Sequence, residues 1–172
     1  FYTPPNGKAN VRRPSDYLAK MIEMAGGTYI LEQDPDDESK SSTMSMEMEA
    51  FYAQAKDADY IIYNSTVGGE LKSRDELLTK SQLLENFKAV QNGNVYCTTQ
   101  NIYQSTMELG TIIADIHNML QGDDQSLTYI YKLEWYKQMK KKRYFAAFVV
   151  LFVLLLLFLV MNLCIGSVNI PF

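Results

Sequence analysis

Twenty consecutive residues near the end of the chain, Phe145 to Cys164, read FAAFVVLFVLLLLFLVMNLC, with Asn162 as the one strongly polar side chain. At ~1.5 Å per residue in a helix, this run is roughly 30 Å long, the hydrocarbon thickness of a bilayer. A helix buried in a globular core seldom runs that far without a polar face. The stretch 144–166 is therefore read as a transmembrane helix. The charges of the 172-residue chain are arranged around it. Residues 1–131 carry 10 basic and 19 acidic side chains, residues 132–143 carry six basic and one acidic, and none follows Tyr144. An acidic body, a basic collar and an uncharged tail are three physical regimes.

The acidic body has no basic stripe to neutralise phosphates, so nucleic acid is excluded as a partner. With 47% apolar and 12% aromatic residues the chain has ample material for a core, which argues against disorder. Two cysteines, Cys97 in a strand-like run and Cys164 in the tail, do not make a disulfide framework. Phe1 is not a start methionine, and the chain reads as a piece of a longer product, open at both ends.

Within the body, apolar periodicity alternates between strand and helix. Pro14-Ser15-Asp16 opens a helix to about Ala25, and Gly26-Gly27 ends it. Thr28–Leu31 reads as a short strand, followed by the polar loop 32–42. Ser45 is placed to cap a helix to about Lys56, with Glu47 and Glu49 favoring its first turn. Tyr60–Tyr63 reads as a buried strand, with Ser65–Gly69 as the loop leaving its carboxyl end. Short helices are expected around Asp75–Leu78 and Gln82–Lys88, then a turn at Asn92-Gly93 and the strand Val95–Thr98. A last helix, from about Ser105 to Leu120, carries Leu109, Ile112, Ile113, Ile116 and Leu120 at helical spacing. Strands separated by helices predict an α/β fold with a mostly parallel, doubly wound sheet, in which ligands sit beyond the carboxyl ends of the strands.

Motifs of catalysis are missing from the sequence: no glycine-rich phosphate loop, Cys-x-x-Cys, His-Glu-x-x-His or Gly-x-Ser-x-Gly occurs. His117 is the single histidine, read as a helix-terminal packing residue because no partner that would orient a base is evident. Asp34, Asp36, Asp37 and Glu38 lack the glycine and terminal glutamate of a calcium loop and read as solvated. Met44, Met46 and Met48 are spaced for packing rather than for holding copper. Glu47 and Glu49 do not face each other on a helix, so they suit a docking surface better than acid–base chemistry.

Four stretches, in order over about 120 residues, resemble the C-terminal lobe of class III ABC-transporter solute-binding proteins, those for iron-siderophores, haem and cobalamin. They are Asp16–Tyr29 (DYLAKMIEMAGGTY), Ser45-Met46-Glu47 followed by Ala58-Asp59-Tyr60-Ile61-Ile62, Ala89–Tyr96 (AVQNGNVY), and the closing Ile116-His117. Asn118 stands where that family has a proline. Gly166–Pro171 (GSVNIP), after the apolar run, resembles the end of the first transmembrane helix of the partner permeases. The resemblance implies a Rossmann-like lobe over 1–122, a linker with basic collar over 123–143, and the start of a permease loop over 167–172. It implies a bilobed protein holding a metal chelate between its lobes, with the other lobe ahead of Phe1 and half the cleft missing here. Tyr63, Asn64, Ser65, Thr66 and Tyr103 are the expected ligand-binding residues, since a tyrosine offers a flat apolar face and a hydroxyl to a large chelate. Glu47 matches the family's glutamate that docks on permease arginines. No cofactor is implied beyond the chelate itself, an iron-siderophore, haem or cobalamin-like ligand, and no metal is held by side chains.

The expected function is therefore solute capture for an ABC importer, without catalysis, in partnership with permease and ATPase subunits and with membrane lipid. The binding lobe is expected outside the cytoplasm. The collar Lys140–Arg143 argues the opposite orientation by the positive-inside rule. Met139-Lys140-Lys141-Lys142-Arg143 also reads as a natural permease start, so a true fusion and a joining of two neighbouring genes both stay open. A membrane-anchored receptor using the same lobe to sense its ligand is the alternative.

Overall fold

The computed structural model describes residues 1–33, 37, 39–133 and 148–161, and the chain divides into two units, 1–134 and 135–172. The first unit begins with strand β1 (Ala9–Arg12), where Ala9 and Val11 are buried and Asn10 and Arg12 are not, the period-two pattern of a strand. Helix α1 (Tyr17–Met24) follows, capped by Asp16, whose carboxylate accepts the Leu18 N–H at 3.0 Å. Gly26 takes φ +93°, which releases the chain from the helix. Strand β2 (Thr43–Met46) pairs antiparallel with β1, from Ala9 opposite Met46 to Arg12 opposite Thr43. Helix α2 (Met48–Ala55) buries Met48, Phe51 and Ala55, one face at spacings of three and four.

Strand β3 (Ile61–Tyr63) leads directly into the four-residue helix α3 (Ser65–Gly68). Helix α4 (Arg74–Lys80), a 3-10 turn (Gln82–Asn86) and helix α5 (Lys88–Gln91) carry the chain to strand β4 (Val95–Thr98), which is parallel to β3. A 3-10 turn (Thr106–Glu108) opens helix α6 (Leu109–Gln121), and strand β5 (Ile130–Lys132) returns antiparallel to β4. All four residues of β4 are buried, as expected for the middle of the order β3-β4-β5. Its side chains alternate between two cores. Val95 and Cys97 join Ile61, Tyr63, Phe51, Leu77, Leu84, Phe87 and Val90 on one face. Tyr96 joins Met21, Ile112, Ile116, Met119 and Ile130 on the other, where α1 packs against α6. Asp115, buried on α6, accepts the Thr128 and Tyr129 N–H groups and so fixes the approach to β5.

The expected doubly wound, mostly parallel, Rossmann-like sheet is not what the chain forms. The described strands make two small sheets, an antiparallel pair and a mixed sheet of three with a single parallel pairing. Thr28–Leu31 contributes no strand. It is held instead by side chains: the Tyr29 hydroxyl donates to the Arg12 carbonyl at 2.7 Å, and the Glu32 N–H donates to Gln54 Oε1 at 3.1 Å. Ser45 does not cap α2 but lies in β2, and β5 falls in the stretch read as linker. The expected transmembrane helix is not found among the described residues. Among the described residues no helix is long and apolar enough to cross a membrane. Within the expected span the described residues 148–161 are helical. The remainder of 144–166, the collar at Lys140–Arg143 and Gly166–Pro171 lie outside the described residues.

Burial pushes the Cys97 thiol up to about 11 from an ordinary 9. The folded state thus favors the neutral thiol. That contribution is complete below about pH 9 and is lost as the pH rises through about 11. Urea denaturation of the whole chain should show stability falling across this window, and less steeply in Cys97→Ala. Equal slopes would contradict it.

Candidate functional site

A cavity of about 640 Å³ lies beside β3 and is lined by β1, α1, the 26–31 segment, α2 and α6. Most of its wall is apolar, with Ile22, Leu31, Ile61, Ile112, Ile116 and Leu120 among its lining residues. Three lining side chains make a polar cluster at the carboxyl end of β3. The Tyr103 hydroxyl oxygen accepts from Arg12 Nη2 at 2.7 Å and from Asn64 Nδ2 at 2.8 Å. Arg12 comes from the last position of β1, Asn64 directly follows β3, and Tyr103 lies in the turn between β4 and α6. The site is thus assembled by bringing the two sheets together.

Arg12 is held on several sides. Its Nη1 lies 3.2 Å from Ser42 Oγ and 3.6 Å from Asp16 Oδ2, and its Cζ lies 5.3 Å from the Tyr103 ring centroid. Burial opposes the charge of this guanidinium, but the Tyr103 hydroxyl and the Asp16 carboxylate outweigh it and hold its pKa above the ordinary value. Asp16 therefore caps α1 and also supports the cation. Burial raises the hydroxyl of the neighbouring Tyr17, with Tyr103 contributing and Arg12 opposing.

Two hydrogen-bonding valences remain at this end of the cavity. The Tyr103 oxygen receives two donors, and its own proton meets no acceptor among the described residues. Asn64 is 8% exposed, and its Oδ1 is buried without a hydrogen-bond partner among the described residues. A free donor and a fixed cation beside an apolar wall suit an anionic oxygen on a large ligand, and the free Asn64 Oδ1 suits a hydroxyl or N–H next to it.

The five residues expected to bind ligand separate into two sets. Asn64 and Tyr103 line the cavity and are hydrogen-bonded to each other. Tyr63 lies in the core at 0% exposure, its ring edge-on to Phe1 and its hydroxyl donating to the Gly68 carbonyl at 2.8 Å. Ser65 and Thr66 tie β3 to β4: the Ser65 N–H donates to Thr98 Oγ1 at 3.0 Å, and Thr66 Oγ1 donates to the Thr99 carbonyl at 3.1 Å. Their role here is to hold Asn64 in place. Arg12 was missed by the sequence reading, although the alternation Ala9-Asn10-Val11-Arg12 is a strand signal that ends on it.

Glu47 stands apart, at the start of α2 and exposed, with its Oε1 2.5 Å from Lys8 Nζ. His117 Nδ1 donates to the Ala25 carbonyl at 3.0 Å, joining α6 to the end of α1. Met44 and Met46 pack from β2 against the first core, and Met48 is buried in it. Asp37 pairs with the buried Arg13 at 2.7 Å, while Asp34, Asp36 and Glu38 lie outside the described residues.

Comparison with protein-family models, with curated proteins and with solved structures gives no match for this chain.

Removing the shared acceptor tests the cluster. Tyr103→Phe leaves the largely buried Asn64 amide without that partner, and should cost about 1–3 kcal/mol in urea denaturation of the whole chain. Ser105→Ala, which removes an exposed bond to the Asn101 carbonyl in the same region, should cost well under half of that. Equal losses would mean that Tyr103 does not organise the site.

Proposed function

We propose that this chain is a lobe of a solute-binding protein that captures an iron-siderophore or related metal chelate for an ABC importer. The observation that supports it best is the convergence of Arg12, Asn64 and Tyr103 at one end of an apolar cavity, with a donor and an acceptor left over. The apolar wall would take the organic frame of the chelate, and Arg12 would answer its negative charge. The metal is cargo and stays within its chelator. On this reading the lobe does no chemistry, and ATP hydrolysis belongs to a separate subunit.

The sequence stretches that carry the resemblance fall on parts that build the site. Ala58–Ile62 feeds β3, and Ala89–Tyr96 runs from α5 into β4. Capture would take place on the extracytoplasmic side, with closure against a second lobe presenting the docking face to the permease. Glu47 would be part of that face. Its ion pair with Lys8 is exposed on both sides and therefore weak enough to exchange for a permease arginine.

The direct test is titration of the chain with a ferric tricatecholate, a ferric hydroxamate, haem and cobalamin, followed by calorimetry. One class should bind, and Arg12→Gln should lower that affinity about tenfold or more. Failure of all four to bind, or equal binding by Arg12→Gln, would overturn the reading.

A further inference from the structure

The cavity has a second feature that chelate capture does not use. Phe1 lies against the outer edge of β3: its nitrogen donates to the Ile62 carbonyl at 2.9 Å, and the Asn64 N–H donates to the Phe1 carbonyl at 2.7 Å. Donation to one residue before Tyr63 and acceptance from one residue after it is the hydrogen-bond pattern of a parallel pairing of Phe1 with Tyr63. Strand alternation turns the N–H of Ile62 and the C=O of Tyr60 to this same edge, and beyond Phe1 no described segment pairs there. The cavity runs along that edge. Tyr60, Ile61 and Ile62 line it on the β3 side, and Thr28, Tyr29, Ile30 and Leu31 also line it without joining the sheet. An open strand edge beside an apolar groove is the arrangement into which extended peptides dock by strand addition.

We propose that the outer edge of β3 is a strand-acceptor site, which takes an extended apolar peptide joined to the nitrogen of Phe1 and running parallel to β3 towards Tyr60. The direction follows from the parallel pairing, because residues ahead of Phe1 must run back along β3, away from the Arg12–Asn64–Tyr103 end. The second residue ahead of Phe1 would accept from the Ile62 N–H and donate to the Tyr60 carbonyl, while the backbone groups of the residue next to Phe1 would point away from β3. The side chain of that second residue would join the core that holds Ile61, and that of the residue next to Phe1 would enter the cavity on the Ile62 face. Both faces are covered, so the peptide is apolar at successive positions rather than alternating. The proposal is independent of the chelate reading.

The test compares three forms of the whole chain, each with four residues added ahead of Phe1: Val-Val-Ile-Val, Gly-Ser-Gly-Ser, and Val-Val-Pro-Val. Hydrogen exchange of the Ile62 amide and the melting temperature are read for each. The Val-Val-Ile-Val form should slow Ile62 exchange by about tenfold or more and raise the melting temperature, and the Gly-Ser form should do neither. The proline form keeps the apolar bulk but lacks the N–H for Tyr60, so it should lose most of the gain. Unchanged Ile62 exchange in the Val-Val-Ile-Val form would overturn the proposal. So would equal gains in the Val-Val-Ile-Val and proline forms, which would mean apolar collapse rather than strand pairing.

Discussion

Strand β4 has no solvent-facing side, and the first unit is organised around that constraint. Its backbone is taken up by β3 on one edge and β5 on the other, so no polar group of this buried segment need go unpaired. Its side chains must then meet apolar partners on both faces, which divides the interior into two cores. Aromatic rings fill the first, with Phe51 5.0 Å from Phe1 and 5.2 Å from Phe87. Helices α1 and α6 close the second. A strand of four residues thus decides where the helices pack and where the loops that follow β3 and β4 must meet.

That meeting of loops creates the polar cluster. Ser65 and Thr66 are spent on Thr98 and Thr99, locking the end of β3 to the end of β4. Asn64 is left at the rim, facing Tyr103. The third member arrives from the other sheet, which Phe1 and Tyr2 stitch to the first: Phe1 bonds to β3, while Tyr2 exchanges two backbone bonds of 2.9 Å with Asn10. The position of Arg12 therefore depends on contacts made far from it in sequence. A cation held this way is preorganised, and it would give up little freedom on meeting an anion.

Local signals in the sequence were enough for the elements that carry their own punctuation. Asp16 and Gly26 bracket α1, and the runs around Ile61 and Val95 are short, apolar and bounded by turn residues, as strands should be. The apolar spacing of Ile112 and Ile116 identified α6. Sheet membership was not legible, because Thr28–Leu31 has strand composition but finds side-chain partners, whereas Ala9–Arg12 and Ile130–Lys132 pair through contacts distant in sequence.

The candidate site was half legible. A strand's carboxyl end is where ligands gather in α/β proteins, and that rule led to Asn64 and its neighbours. It did not distinguish Asn64, which faces the cavity, from Tyr63, which strand alternation turns into the core. Arg12 could be found only by joining two sheets in space. The central claim, that Arg12, Asn64 and Tyr103 form a ligand site, is tested most directly by nuclear magnetic resonance with a gallium chelate in place of iron. The account predicts that the largest shifts fall on the Asn64 side-chain amide, the Arg12 guanidinium and the Tyr103 ring. Shifts confined to other parts of the surface, or no shifts with any chelate class, would contradict it.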